Sequence, residues 1–207
     1  MPASDLPINQ KGDYNMKDLS HYSELAAMFR YPDENLKHQA IAWRKIIEQY
    51  DQGLSIYLTP FINHLENTTL EYQQEYYVST FYVQPVCCLE IGYVLFGEDF
   101  KRGQFLANLK TEHRNAGNDC GTELPDNLTV LLTLLPKLAN PRFAEELAFS
   151  LMIPAVREII ARFMSVDNYY KSLLILLATI METDFPESEF EKFSFENHKP
   201  QPLMKQI

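Results

Sequence analysis

The stretch from Gly97 to Leu109, GEDFKRGQFLANL, places charged residues at a spacing that could serve binding. Arg102 lies in the first turn of a predicted helix, where the helix dipole disfavours a cation. It shares a face with apolar residues, so it points toward the packed side and needs an acidic partner. Glu98, Asp99 or Asp126 could provide one. Two interpretations stay open: Arg102 clamps two helices together, or it contacts a ligand or peptide.

Gly103 follows Arg102 inside the same helix, which is predicted over about 100–116 with Asp99 as its N-cap and Gly117 as its stop. A glycine inside a helix costs about 1 kcal/mol relative to alanine. This unfavourable choice predicts that another backbone or a ligand passes close to Gly103.

The cysteines and histidines form no pattern of a catalytic or metal site. Cys87 and Cys88 are adjacent, and a buried thiol is favoured over a nucleophile because no partnered histidine or aspartate motif accompanies them. His113 lies on the apolar side of the predicted helix, where a packing role is favoured over a functional one. No histidine pair has metal-ligand spacing. The sequence therefore predicts no enzyme activity, no metal and no cofactor.

Tyrosines are concentrated between residues 72 and 93, at Tyr72, Tyr76, Tyr77, Tyr82 and Tyr93. They could pack in the core or an interface. Alternatively, they could line a peptide groove, since tyrosine offers a large contact area at low entropic cost.

The elements that must position these residues are helical. Apolar residues recur at three and four residues almost throughout. Thr68 and Glu71 form a capping box for a helix that ends before Pro85, and Pro125 with Asp126 begins another. The segment 83–96 is predicted to be a buried loop or short helical turns, and a helix starting at Asn140 should be kinked at Pro154. We expect an all-α single-domain bundle of about seven to nine helices.

Length and charge restrict the function further. The chain has 207 residues, enough for one domain with a good core, and a formal net charge of -10. That charge disfavours nucleic acid and fits a basic peptide partner or simply a soluble cytoplasmic protein. No secretory signal or membrane span is evident. We expect a flexible N-terminus over 1–17, a helical domain over 18–182, and a flexible or weakly docked tail over 183–207.

Three motifs together resemble the TorD/DmsD/NarJ superfamily of molybdoenzyme assembly chaperones. They are Tyr77-x-x-x-Phe81, then Gly97-Glu98-Asp99-x-x-Arg102-Gly103-Gln104, then Glu123-Leu124-Pro125-Asp126; Phe29-Arg30-Tyr31-Pro32 also looks like the end of the family's first helix. The resemblance covers about residues 18–182 and is closest to the nitrate reductase chaperone branch. Tyr82 and Tyr93 stand where that branch has an aspartate and a glutamate, so a relative serving another oxidoreductase of this type fits as well.

The resemblance implies a cytoplasmic chaperone of the TorD/NarJ fold with no enzymatic activity. Such a protein binds the apo catalytic subunit of a molybdopterin oxidoreductase, at its N-terminal twin-arginine signal or a remnant of one, until the cofactor is inserted. Further partners would be the molybdenum-cofactor machinery, but neither nucleic acid nor a membrane. Acidic residues should meet basic client residues, in a groove along the fourth helix, the 83–96 segment and the start of the Arg102 helix. The implied client-binding residues are Tyr77, Phe81, Tyr82, Pro85, Glu90, Tyr93, Gly97, Glu98, Asp99, Arg102, Gly103, Gln104, Glu123, Leu124, Pro125 and Asp126.

Two other function classes stay open. One is a generic helical adaptor with no redox connection. The other is a helical enzyme that uses Cys87 or the carboxylates of the central block.

Overall fold

The computed structural model describes residues 18–82, 87–163 and 168–195. The α-helices are α1 (His21–Ala27), α2 (Leu36–Tyr50), α3 (Ser55–Asn67), α4 (Leu70–Phe81), α5 (Ile91–Phe96), α6 (Phe100–Asn115), α7 (Leu128–Leu134), α8 (Pro141–Glu146), α9 (Ile153–Arg162) and α10 (Tyr169–Asp184). A π-helical segment, Leu147–Met152, joins α8 and α9 into one continuous helix. Counted that way, the described residues form nine helices and no strand, which confirms the all-α prediction.

Short polar side chains decide where several helices begin, as the sequence predicts for Asp99 and Asn140. The Asp99 carboxylate accepts from the backbone N–H two residues later and starts α6. Asn140 and Asn168 each accept from two N–H groups of the first turn and start α8 and α10. These contacts satisfy donors that a helix leaves unpaired at its N-terminus.

Two predicted helix starts are wrong by one residue. The N-cap of α4 is Thr69, whose hydroxyl accepts from Tyr72 N–H, while the Thr68 hydroxyl donates to the preceding helix. The N-cap of α7 is Asn127, not Asp126. Asp126 is buried instead and pairs with Arg102, one of the three possible pairings that the sequence allows.

One continuous cluster of buried apolar residues extends from Leu19 to Phe185. Within it α10 packs against α3 and α9, and α1 packs against α7. The Tyr22 hydroxyl donates to the buried carboxylate of Asp184 at 2.9 Å, which joins the start of α1 to the end of α10. The two ends of the described chain are therefore tied into the same core.

A π-helical segment ends just before Pro154, at the place where the sequence predicts a kink. In an α-helix the Ser150 carbonyl would accept from residue 154, but proline has no N–H. The backbone N–H of Phe193 donates to that carbonyl at 2.9 Å. Phe190, Phe193 and Phe195 pack against the core, so residues 185–195 of the expected tail lie along this helix.

The expected flexible N-terminus, 1–17, and the end of the tail, 196–207, lie outside the described residues. So do residues 83–86, which include Pro85 from the expected binding residues. The rest of the ambiguous 83–96 segment contains one short helix, α5, as the alternative of short helical turns predicts.

Candidate functional site

A cavity of about 630 Å³ opens beside α4. The turn after α1, α4 itself and the segment leading into α7 form its walls. It brings together Tyr77, Tyr82 and Glu123 from the expected binding residues. Its full lining is Arg30, Tyr31, Tyr77, Val78, Tyr82, Asp119, Cys120, Gly121, Thr122, Glu123, Asn127, Thr129, Val130 and Thr133.

Three tyrosines form an aromatic wall in this cavity. Tyr77 is buried, its hydroxyl donates to the Phe29 carbonyl at 3.0 Å, and burial raises the pKa of Tyr77 so that it stays protonated. The ring of Tyr31 meets that of Tyr77 edge to face, with centroids 5.7 Å apart. Tyr31 is 55% exposed and Tyr82 is 54% exposed. The fold thus fixes one ring and leaves two available to a ligand.

Charged groups stand at the rim of the same cavity. Glu123 is exposed, and its carboxylate accepts from the Asn127 side chain at 3.1 Å. Because Asn127 also caps α7, the carboxylate is held beside the cavity by the helix start. Desolvation and the negative charge of Glu123 raise the pKa of Tyr82. Arg30 and Asp119 are also exposed there.

A second cavity of about 450 Å³ lies further along α4, toward its N-terminus. It shares Tyr31 and Val78 with the first cavity. Its remaining lining residues are polar, and two of them are acidic: Glu71, Gln74, Glu75 and Ser79. The Gln74 amide donates to the Pro32 carbonyl at 2.9 Å, which fixes the turn that carries Tyr31.

Arg102 does have a buried acidic partner, as expected. Its Nε donates to Asp126 Oδ2 at 3.3 Å, and the side chains are 20% and 0% exposed. The guanidinium also lies 5.3 Å from the ring centre of Tyr93. Asp126 Oδ1 has no hydrogen-bond partner within the described ranges. Burial raises the pKa of Asp126 even though Arg102 opposes that shift.

Of the two interpretations of Arg102, the geometry agrees with the clamp between elements. The backbone carbonyl of Asp126 accepts from Ile91 N–H at 2.9 Å, and Glu90 forms an isolated antiparallel bridge with Asn127. The start of α7 is therefore anchored to α5 by its backbone and to α6 by the ion pair. Asp126 is inaccessible to a client, contrary to its expected role as a binding carboxylate.

The expected close approach of another backbone at Gly103 is wrong, and Gly92 is the glycine that neighbouring elements approach closely. A Cβ atom on Gly103 would meet no atom of the described residues within 4 Å, whereas one on Gly92 would lie 2.6 Å from Asp126 Oδ2 and 2.9 Å from Phe105 Cδ1. Sequence reasoning missed Gly92 because the crowding comes from distant segments.

The other expected residues of the 97–104 block lie at the surface and line neither cavity. Gly97 has φ +62°, a conformation that favours glycine. Asp99 serves as the N-cap of α6. Glu98 and Gln104 are exposed.

The remaining expected residues are separated by the fold. Phe81 is buried and packs edge to face on Tyr77 and Tyr170. The Pro125 carbonyl accepts a hydrogen bond from His113, and Leu124 is 47% exposed. None of these three residues lines the first cavity.

Tyr72 and Tyr76 lie in different environments, so packing in the core explains only one of them. Tyr76 packs among aromatic rings, with its centroid 5.0 Å from that of His64 and 5.4 Å from that of Tyr169. Tyr72 is 53% exposed but lines neither cavity. Packing therefore explains Tyr76 and Tyr77, and the groove interpretation keeps Tyr82.

The histidine and cysteine candidates are packing residues. His113 Nε2 donates to the Pro125 carbonyl at 2.9 Å, and Nδ1 accepts from the Asn118 amide at 3.0 Å. Both ring nitrogens are used by the neutral form, and burial lowers the pKa of His113. Burial raises the pKa of Cys87 to about 12 and that of Cys88 to about 11. At neutral pH both are thiols, which are poor nucleophiles.

Sequence reasoning missed several cavity residues: Arg30, Tyr31, Asp119, Thr129 and Thr133. They come from segments far apart in the chain, so spacing carries no signal for them. Tyr31 alone had a local sign, since it precedes the proline that ends the first helical pattern.

Over residues 18–82, 87–163 and 168–195, no group of three or more His, Cys, Asp or Glu side chains is arranged to hold a metal ion. In the same ranges, no helix combines the length and apolar character needed to cross a membrane. No protein-family model matches the chain, and no curated protein matches it. The resemblance of the motifs therefore stays a hypothesis.

Proposed function

We propose that this protein is a cytoplasmic chaperone that binds the N-terminal segment of the apo catalytic subunit of a molybdopterin oxidoreductase and holds it for cofactor insertion. The observation that carries the proposal is the 630 Å³ cavity with a tyrosine wall and carboxylates at its rim. The resemblance of the motifs supplies the class of client.

The cavity suits a segment that combines apolar and basic residues. Apolar side chains would pack on the rings of Tyr31 and Tyr82, which are already held near Tyr77. Basic residues would meet the exposed carboxylates of Glu123 and Asp119, which steer association and fix orientation. Binding without chemistry also fits the protonated thiols of Cys87 and Cys88.

A matched pair of tyrosines on the same chain tests the site. Tyr82 and Tyr72 are 54% and 53% exposed, but only Tyr82 lines the cavity. We expect Tyr82→Ala to shorten the residence time of the client's N-terminal peptide about tenfold, as loss of a buried aromatic contact does. Tyr72→Ala should leave it unchanged.

The measurement is biosensor kinetics with the N-terminal peptide of a molybdopterin oxidoreductase catalytic subunit from the same organism, and with that subunit free of its cofactor. If the two substitutions shorten the residence time equally, the cavity is not the client-binding site. Strong binding of a partner unrelated to molybdoenzymes, with none of this peptide, would favour a generic helical adaptor.

A further inference from the structure

The two cavities adjoin along one face of α4, where they share Tyr31 and Val78. We call this surface the α4 groove. Glu71, Glu75, Val78 and Tyr82 follow one another at intervals of three or four residues, so they form a stripe along the helix. Tyr31, held by the turn whose Pro32 carbonyl accepts from Gln74, stands between the two compartments.

The two ends of the α4 groove differ in chemistry. The end near the start of α4 has two carboxylates, Glu71 and Glu75, and no cation among its lining residues. The backbone N–H of Glu71 and the Thr69 hydroxyl lower the pKa of Glu71, so its negative charge is retained. The other end holds the aromatic wall of Tyr77 and Tyr82, and at its rim the cation Arg30 offsets one of the two carboxylates, Asp119 and Glu123.

We infer that the α4 groove takes an extended peptide whose basic residues lie over Glu71 and Glu75 and whose large apolar residue enters the cavity beside Tyr82. This inference rests on the proposed function, and it makes Glu71 and Glu75 determinants of client specificity. Charge complementarity selects the occupant, because basic side chains match the acidic end and apolar ones match the aromatic end.

The carboxylates of the central block are less suited to this task. Asp126 is fully buried against Arg102. Glu98 and Asp99 line neither cavity, and the Asp99 carboxylate already caps α6. The basic end of the client thus lies on α4, over carboxylates that belong to none of the sequence motifs.

The length of the groove fixes the spacing of the client residues. Glu71 and Tyr82 are separated by about three helical turns, or about 16 Å at 1.5 Å per residue. An extended peptide advances about 3.3 Å per residue, so it crosses this distance in about five residues. We therefore expect the basic residues to precede the apolar anchor by about five positions, or to follow it by about five if the peptide runs the other way.

A series of synthetic peptides tests the inference on the full chain. Each contains two arginines and one phenylalanine, separated by a Gly-Ser spacer that places them about two, five or eight residues apart, in both orders. Fluorescence anisotropy should show the tightest binding at a separation of about five in one of the two orders. Glu75→Gln should weaken that peptide severalfold, at most about fivefold for an exposed ion pair.

Three controls separate the carboxylate contact from other effects. Glu146→Gln changes the net charge equally but lies on α8, exposed and outside the groove. A peptide with both arginines replaced by glutamine should bind the Glu75→Gln variant and the unaltered protein equally. Thermal unfolding of Glu71→Gln/Glu75→Gln checks the start of α4, and Glu75→Gln alone carries the test if that double variant is unstable.

Different results would overturn the role of Glu71 and Glu75 and the chaperone function. If the cofactor-free subunit binds the Glu71→Gln/Glu75→Gln variant as tightly as the unaltered protein, the inference is wrong and the proposed function stands. Equal weakening by Glu75→Gln and Glu146→Gln, or affinity independent of spacing, also overturns the inference. If neither the subunit nor any peptide binds, both are wrong.

Discussion

At the scale of single residues, the buried pair of Arg102 and Asp126 shows how charge is used in this fold. A fully buried carboxylate is tolerated because a guanidinium lies 3.3 Å away, on the opposite element. Burial raises the pKa of Asp126 although Arg102 opposes the shift, and Asp126 Oδ1 has no hydrogen-bond partner among the described residues, so the pairing compensates the burial only in part. The pair therefore positions α5, α6 and α7 relative to one another at some cost in stability.

We predict that Arg102→Ala destabilises the protein by about 3 to 5 kcal/mol at most near neutral pH, since it leaves a buried carboxylate unpaired. A carboxyl whose pKa is raised by folding contributes stability below its unfolded pKa, and this contribution is lost as pH rises through the folded pKa. Removing Arg102 raises the folded pKa of Asp126 further. The loss should therefore shrink as the pH falls toward the unfolded pKa, which urea unfolding at several pH values would measure.

The double substitution Arg102→Ala/Asp126→Asn serves as the control, because it removes the unpaired charge and should recover part of the lost stability. A loss independent of pH would contradict this account of the pair. If Arg102→Ala leaves stability unchanged but weakens client binding, Arg102 contacts the client instead.

At the scale of elements, the packing of α5 against α6 and the start of α7 depends on one glycine. Gly92 lets Asp126 and Phe105 approach the backbone of α5. A Cβ on Gly103 of α6 would have no neighbour within 4 Å among the residues that the structure describes. Each glycine lies inside a helix, but an added Cβ would be crowded at Gly92 and would not be crowded by any described residue at Gly103.

We expect opposite effects from alanine at these two positions. Gly92→Ala should destabilise the fold by about 1 to 3 kcal/mol through overpacking. Gly103→Ala should stabilise it by up to about 1 kcal/mol, because alanine is the better helix former. Thermal unfolding of both variants is the measurement, and a destabilising Gly103→Ala would show a close contact there after all.

Sequence predicts the local part of this structure and misses the long-range part. Asp99 and Asn140 cap their helices as expected, because capping needs only the next few residues. Asn127 rather than Asp126 starts α7, and Asp126 instead pairs with Arg102 from another element. The cavity was only partly predicted for the same reason: Arg30, Tyr31 and Thr133 reach it from separate segments.

At the scale of the whole molecule, the formal net charge of -10 acts together with one aromatic surface. Carboxylates at the rim of the α4 groove act at a distance, and the tyrosine rings act only on contact. Long-range charge affects mainly the rate of association, while buried apolar contacts affect mainly dissociation.

Salt should therefore change the association rate constant of the client more than its dissociation rate constant. Raising the ionic strength from about 0.01 to 1 M shortens the screening length from about 30 to 3 Å. We expect association of the client's N-terminal peptide to slow severalfold while its dissociation rate changes little. Surface plasmon resonance at both salts would show this, and an association rate independent of salt would contradict the role of the carboxylates.

The most direct test of the central claim is recovery of the client itself. The full-length protein, purified from cells grown without oxygen, should retain the catalytic subunit of a molybdopterin oxidoreductase, and mass spectrometry with metal analysis should find that subunit without molybdenum. Tyr82→Ala should lower its recovery, and Tyr72→Ala should not. If neither this cofactor-free subunit nor its N-terminal peptide binds at micromolar concentrations, the chaperone proposal is wrong.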